Sequence, residues 1–191
     1  MKIKQAEKLT DSKWLNLFEV RYVDRNGADK SWQLATRAAE PKCVSGRFEQ
    51  PDAVVIVALY GSAGKLVITR EYRVALGGYE YGFPAGLVDP GETPEAAAGR
   101  ELMEETGLTV TRVLRTSPAV YSSAGLTDES VAMIYVECDG EPTTHNTCDS
   151  EVIEVMLLSR EEASQLRRRK DLKFDAKAWL VISRFADDGR I

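Results

Sequence analysis

Glu101, Glu104 and Glu105 fall within about one and a half turns of a single helical segment, and Arg100 stands beside them. Carboxylates are hard oxygen donors of the kind that hold Mg²⁺ or Mn²⁺ while phosphate oxygens and water complete the shell. The chemistry this implies is metal-assisted attack on a phosphate ester or anhydride. The three belong to a longer pattern over residues 86–108, GLVDPGETPEAAAGRELMEETGL: Gly86, five residues, Glu92, seven residues, then a run beginning at Arg100. As bare charges Glu101 and Glu105 are an i,i+4 like pair that destabilises a helix by about 0.2–0.5 kcal/mol. Bound cations reverse that sign. The competing reading, a solvated acidic face, accounts for three glutamates but not for the full spacing with both glycines and Arg100.

The elements that must position these groups are legible around them. Thr93 is a good N-cap, Pro94 suits the first helical position, and Gly107 suits a left-handed stop, so the spacing predicts a helix over 94–106. At roughly 100° per residue the three carboxylates span about 100° of one face. Ala98 and Leu102 lie on an adjoining face that packs on the core. Arg100 is i,i+4 to Glu104 and holds a carboxylate in place from behind the metal ligands. Glu92 precedes the helix in a Pro-Gly-Glu turn. Gly99 costs a helix interior about 1 kcal/mol relative to Ala, and a close backbone approach is the expected reason for it.

Elsewhere the pattern is strand-rich. Residues 15–23 and 31–37 read as two strands joined by Asp24-Arg25-Asn26-Gly27, a hairpin signal. A buried strand is expected over 53–60, then a Gly-Ser-Ala-Gly turn and a strand over 65–70, with further strands near 109–115, 131–137 and 151–158. Ser159 caps a predicted helix over 160–169. A last helix over 174–187 carries Trp179, Ile182 and Phe185 at core-facing spacing. An N-terminal piece of this size cannot bury a core alone and needs the main domain or a second subunit.

Composition narrows the class. The chain has 191 residues and a net charge of −5, with no basic run long enough for a nucleic-acid groove. Its longest cationic stretch, Gln165 to Lys170, suits an exposed helix end. No apolar run reaches membrane-spanning length and no signal peptide is expected. Cys43, Cys138 and Cys148 lack metal or redox spacing, which fits a reducing cytoplasm. His145 is the one histidine, in a polar stretch, so Ser–His or Cys–His nucleophilic catalysis is not expected.

Residues 86–108 match the Nudix box at each defining position, and the chain resembles that superfamily of hydrolases, which cleave a nucleoside diphosphate linked to another moiety. The resemblance implies an α/β class and a Nudix fold, a mixed β-sheet in an α/β/α sandwich with a small N-terminal antiparallel β element. It implies an N-terminal dimerisation element over 1–48 and a hydrolase domain over 49–191. The segments Arg70 to Tyr79, Phe83 to Gly86, Ser117 to Val120 and Glu151 to Val155, with Trp14 and Trp32, are similar to the ADP-sugar (ADP-ribose) pyrophosphatase branch.

That branch implies roles for particular residues. Trp14 and Trp32 match positions that stack the base, where an aromatic face contributes about 1–3 kcal/mol. Gln33 adjoins them. Arg37 and Arg73 match diphosphate contacts, suited to bidentate guanidinium recognition, and Leu87 is grouped with the substrate-binding residues. Glu101, Glu105 and the Ala85 carbonyl match metal ligands, with Glu104 either a ligand or directly behind one. Glu151 matches a position that is the base in some relatives and a metal ligand in others, and Asp149 competes for the role of base. The implied cofactor is Mg²⁺, with Mn²⁺ as the other option. The implied partners are a nucleotide sugar and a second copy of the chain with exchanged N-terminal strands, with neither nucleic acid nor membrane. Two departures bear on substrate: Gly82 and Gln33 each stand where the branch has Glu. GDP-mannose or another nucleoside-diphosphate sugar is the rival substrate, and a non-catalytic nucleotide-binding module is the rival class.

Overall fold

The computed structural model describes residues 1–62, 64–144 and 152–191. In chain order the elements are β1 (Lys2–Lys8), β2 (Asn16–Val23), β3 (Asp29–Thr36), α1 (Lys42–Ser45), β4 (Ala53–Tyr60), β5 (Lys65–Arg73), β6 (Gly78–Gly82) and β7 (Ala85–Leu87). Then come α2 (Pro94–Thr106), β8 (Thr109–Thr116), β9 (Val120–Tyr121), β10 (Ser130–Asp139), β11 (Ile153–Leu158), α3 (Arg160–Leu166), β12 (Lys173–Phe174) and α4 (Ala176–Asp188). They form two compact units: Met1–Asp52 with Ala119–Val131, and Ala53–Pro118 with Ala132–Ile191.

In the first unit β1, β2 and β3 form an antiparallel sheet in that order. The expected hairpin is present, and Gly27 closes its turn at φ 82°, a left-handed value that glycine adopts without steric cost. The strand β1 was not expected, because Ile3 and Ala6 are its only apolar residues and do not alternate. It is held by backbone pairing to β2. Residues 123–130 dock on β3, with Ala35 N–H donating to the Leu126 carbonyl at 2.8 Å and Ala35 bridging Thr127. At the start of α1 the buried Lys42 ammonium donates to Asp52 at 2.5 Å and to Ser130 Oγ at 2.7 Å. The Lys42 amide donates to Asp128 at 2.8 Å.

The second unit carries a mixed sheet in the order β12-β6-β5-β4-β10-β8, with β11 on β5 and β7 on β4. β5 pairs antiparallel with β4, β6 and β11, β4 with β7, and β10 with β8, whereas β12 runs parallel to β6. β4 and β5 pair only next to their turn, at Leu59–Leu66 and Tyr60–Lys65. Further along, β4 takes β7, while β5 takes β6 and β11. The core joins Val54, Ile56, Ala58 and Val67 to Ala97, Ala98, Leu102 and Leu108 and to Ile134 and Val136. Leu102, wholly buried, anchors α2, and burying a leucine contributes about 1.5–3 kcal/mol. The helix covers the expected residues: Thr93 Oγ1 accepts from Ala96 N–H, and Gly107 adopts φ 72°. At Gly107 a Cβ would also meet Thr143 Cγ2 at 2.4 Å, so glycine is required on two counts.

Three expectations are corrected. Among the described residues a Cβ at Gly99 would find nothing within 4 Å, so no close backbone approach at that position explains the glycine. Trp179 is 44% exposed, whereas Ile182 and Phe185 are buried, because the buried stripe of α4 runs through Ala178 instead. The helix predicted over 160–169 ends at Leu166. Arg167 then turns back to donate to the Ser183 carbonyl at 3.0 Å and to Asp187 at 2.6 Å on α4.

Candidate active site

The site is assembled around Arg100. Its guanidinium grips Glu92 with two bonds, Nε to Oε1 at 3.1 Å and Nη2 to Oε2 at 2.9 Å. Nη1 donates to Glu101 Oε1 at 2.7 Å and reaches Glu104 Oε2 at 3.4 Å. Nη2 also donates to the Leu87 carbonyl at 3.0 Å. One side chain thus ties α2 to the turn before it and to the end of β7. The bidentate geometry needs a planar guanidinium, and a lysine ammonium cannot reproduce it. The hydrogen bonds to Glu92, and then those to Glu101, hold Arg100 above its already high ordinary pKa. The same contact holds the Glu92 carboxyl below its ordinary value.

Glu105 is buried and accepts from the Ala85 amide at 3.2 Å, which draws the end of β7 against the helix. Glu101 lies beside Gly86 so closely that a Cβ there would sit 2.0 Å from its carboxyl carbon. The close approach expected at Gly99 therefore occurs at Gly86. Asp89 N–H donates to Glu92 Oε2 at 3.2 Å, closing the Pro-Gly-Glu turn under the arginine. Glu92 and Gly86 belong to this cluster by contact, Glu92 with Arg100 and Gly86 with Glu101, although neither was given a role residue by residue. Both are fixed points of the box spacing, and that is the signal that finds them.

Among the described residues no three carboxylate, histidine or cysteine side chains are gathered as a ready cage for an ion. The donor chemistry still fits a hard divalent cation. Glu101, Glu104 and Glu105 offer oxygen ligands on one helix, and the missing side chain at Gly86 makes room for the Glu101 carboxylate against the strand. Ala85 and Glu105 are already in contact.

The remaining predicted residues fall in both units. Arg73 is in the second unit at the end of β5, paired with Glu71 at 2.8 Å and with Glu80 at 3.5 Å. Leu87 exposes its side chain at the end of β7. Trp14, Trp32, Gln33 and Arg37 belong to the first unit. Trp14 is 70% exposed with the Lys13 ammonium 4.3 Å from its ring centre, and Trp32 is 52% exposed with its indole donating to the Gly125 carbonyl at 3.3 Å. Gln33 follows Trp32 on β3 and therefore faces the other side of the sheet. Arg37 pairs with Glu129 at 3.2 Å. Glu151 and Asp149 lie outside the described residues.

A mixed sheet carrying a carboxylate-rich helix, braced by one arginine against a glycine strand, is the frame of a Nudix enzyme. The NUDIX domain model matches residues 49–180, and the chain belongs to the Nudix hydrolase family. Nudix hydrolases generally use divalent metal ions. An ADP-ribose pyrophosphatase of Saccharomyces cerevisiae is 30% identical over 137 residues, covering 71% of this chain and 58% of that protein. An ADP-sugar pyrophosphatase of Mus musculus is 27% identical over 189 residues, covering 93% and 84%. The crystal structure of an ADP compounds hydrolase superposes with a TM-score of 0.69 at 20% identity, covering 100% of this chain and 96% of that one, and speaks for the fold. Among the described residues no helix is long and apolar enough to cross a membrane.

Proposed function

We propose that this hydrolase cleaves the diphosphate of a nucleoside diphosphate sugar, with ADP-ribose giving AMP and ribose 5-phosphate. The observation that carries the reading is the complete box constellation: Arg100 holding Glu92, Glu101 and Glu104 while Glu105 binds the Ala85 amide. The names of the yeast and mouse relatives support the substrate class. Glu101, Glu105, Glu104 and the Ala85 carbonyl would hold Mg²⁺, with Glu151 as a further ligand or as the base. Such an ion neutralises a diphosphate and lowers the pKa of bound water. Arg100 keeps three carboxylates of like charge at fixed positions.

Arg73 and Arg37 are the diphosphate contacts in this reading. Both face carboxylates, Arg73 that of Glu71 at 2.8 Å and Arg37 that of Glu129 at 3.2 Å. Trp14 and Trp32 offer exposed aromatic faces to the base. Leu87 lines the substrate side, and Gln33 is the departure that bears on the base. Either Glu151 or Asp149 takes the water proton. The active form is a homodimer that exchanges N-terminal strands, acting in the cytoplasm on a small molecule. Cys43 and Cys138 as free thiols support a reducing compartment.

The test is steady-state hydrolysis with Mg²⁺ across ADP-ribose, ADP-glucose, GDP-mannose, UDP-glucose and NADH. A kcat/KM for ADP-ribose about tenfold above the rest supports the reading. Preference for GDP-mannose assigns the departures at Gly82 and Gln33 to a different base and sugar. No turnover of any substrate refutes it.

A further inference from the structure

Glu71 and Glu80 stand directly opposite each other in the β5–β6 register. Their side chains are only 15% and 22% exposed. Like charges directly opposite across antiparallel strands destabilise the pair. What compensates them is Arg73, two residues after Glu71, which bonds Glu71 at 2.8 Å and reaches Glu80 at 3.5 Å. Such a carboxylate pair does nothing for the strands that two apolar residues would not do better. Its effect is on the arginine.

The trio lies on the side of β5 that leads to the box helix. Val67 packs with Ala97, Ala98 and Leu102 of α2. Side chains alternate along a strand, and β5 pairs with β6 and β11 without a register shift, so Thr69, Glu71 and Arg73 share the side of Val67. Across from them Gly82 and Glu80 share it too. The other side is separately occupied: the Arg70 guanidinium lies 3.6 Å from the Tyr79 ring centre, and Tyr72 meets Tyr79 edge-on at 5.5 Å. Burial falls along the Val67 side, from Val67 and Thr69, both buried, through Glu71 to the exposed Arg73. From Gly82 the chain passes through Phe83 and Pro84 into Ala85, whose amide holds Glu105.

We propose that Glu80, with Glu71, is a positioning residue for Arg73. The two carboxylates fix the guanidinium at the open end of the catalytic side of β5, so that it meets the substrate diphosphate already oriented. This rests on the reading of Arg73 as a diphosphate contact. Neither glutamate touches substrate.

A double-mutant cycle on the full-length enzyme with Mg²⁺ and ADP-ribose tests the proposal, using Glu80→Gln, Arg73→Ala and both together. Glu80→Gln is expected to raise KM about threefold to tenfold with kcat changed less than about twofold, and to have no further effect in the Arg73→Ala background. A folding defect would lower the active fraction, and hence apparent kcat, in both backgrounds alike. If Glu80→Gln raises KM by the same factor with Arg73 present and absent, Glu80 acts independently and the proposal is overturned while the Arg73 reading stands. If Arg73→Ala leaves KM unchanged, the diphosphate reading of Arg73 fails, and the proposal with it.

Discussion

Gly86→Ala isolates the catalytic geometry from the fold. A Cβ at this position would lie 2.0 Å from both Cδ and Oε1 of Glu101 and 2.4 Å from Oε2. Carbon atoms settle near 3.5–4.0 Å, so the carboxylate must retreat by about 1.5 Å. It is the far end of a flexible side chain rather than backbone, so the carboxylate can move while the strand and helix stay in place. The 2.7 Å bond from Arg100 to Glu101 is lost or redirected. A displacement of 1 Å in a catalytic group costs about a hundredfold, which corresponds to roughly 2.7 kcal/mol of barrier. The expected result is a kcat reduced about 10²–10³-fold, with a melting temperature within a few degrees of the parent. Gly99→Ala is the matched control. It adds the same methyl group to open space in α2 and is expected to stabilise by about 1 kcal/mol with activity kept. Initial rates on ADP-ribose at saturating Mg²⁺ and thermal melts of both variants decide it. If Gly86→Ala keeps kcat within about threefold, the reaction does not depend on the placement of Glu101 against Gly86.

Other outcomes follow from the same contacts. Glu92→Gln removes the charge that Arg100 grips twice, and second-sphere losses of this kind cost about 10–100-fold in activity or metal affinity; metal titration against rate reads it. Asp52→Ala leaves the Lys42 ammonium buried with Ser130 alone among these two partners, so chemical denaturation should show a loss of about 2–4 kcal/mol, somewhat below a fully buried pair because Asp52 is 32% exposed. The Cys138 thiol is pushed up to about 12 by burial, so iodoacetamide at pH 8 should leave it unmodified in the folded protein and modify it after denaturation, as read by peptide mass. Arginine partners depress the carboxyls of Glu92 and Asp171, the latter to about 2. A depressed carboxyl contributes stability that is full above its unfolded value near pH 4 and is lost as pH falls through the folded value. The melting temperature should therefore hold above about pH 5 and decline between about pH 4 and 2, and a decline that starts near pH 7 would contradict it.

The box helix was fully legible, because everything that bounds it is local: a capping threonine, a proline at the first turn and a glycine stop. The β2–β3 hairpin was legible for the same reason, its turn being written in adjacent residues. Strands β1, β6, β7 and β12 were not. They are either too short or too poor in alternating apolar residues to carry a period, and these strands exist because an edge elsewhere in the chain has backbone groups to pair. Trp179 was misplaced because helical spacing identifies a stripe but not its limits, and Ala178 serves the core one position earlier. The attachment of residues 123–130 to β3 rests on bonds between positions some ninety residues apart, such as Ala35 to Leu126 and Arg37 to Glu129, which no window along the chain contains.

Gly86 and Gly99 show why spacing outperformed residue-by-residue reasoning at the site. Judged by propensity, Gly99 is the anomaly, since glycine weakens a helix and is ordinary in a short strand before a turn. Judged by contact, Gly99 has free space and Gly86 has none. Propensity measures what a residue does to its own element, whereas the constraint at Gly86 comes from a carboxylate fifteen residues later on another element. Arg100 has the same character. On the helix alone it is an i,i+4 partner of Glu104, which is the longest of its hydrogen bonds at 3.4 Å. Its strong bonds go to Glu92, Glu101 and the Leu87 carbonyl. A cluster of like charges can be held ready for a cation only if something else restrains it beforehand, and here that restraint is a single guanidinium reaching from the helix to the turn and strand that precede it.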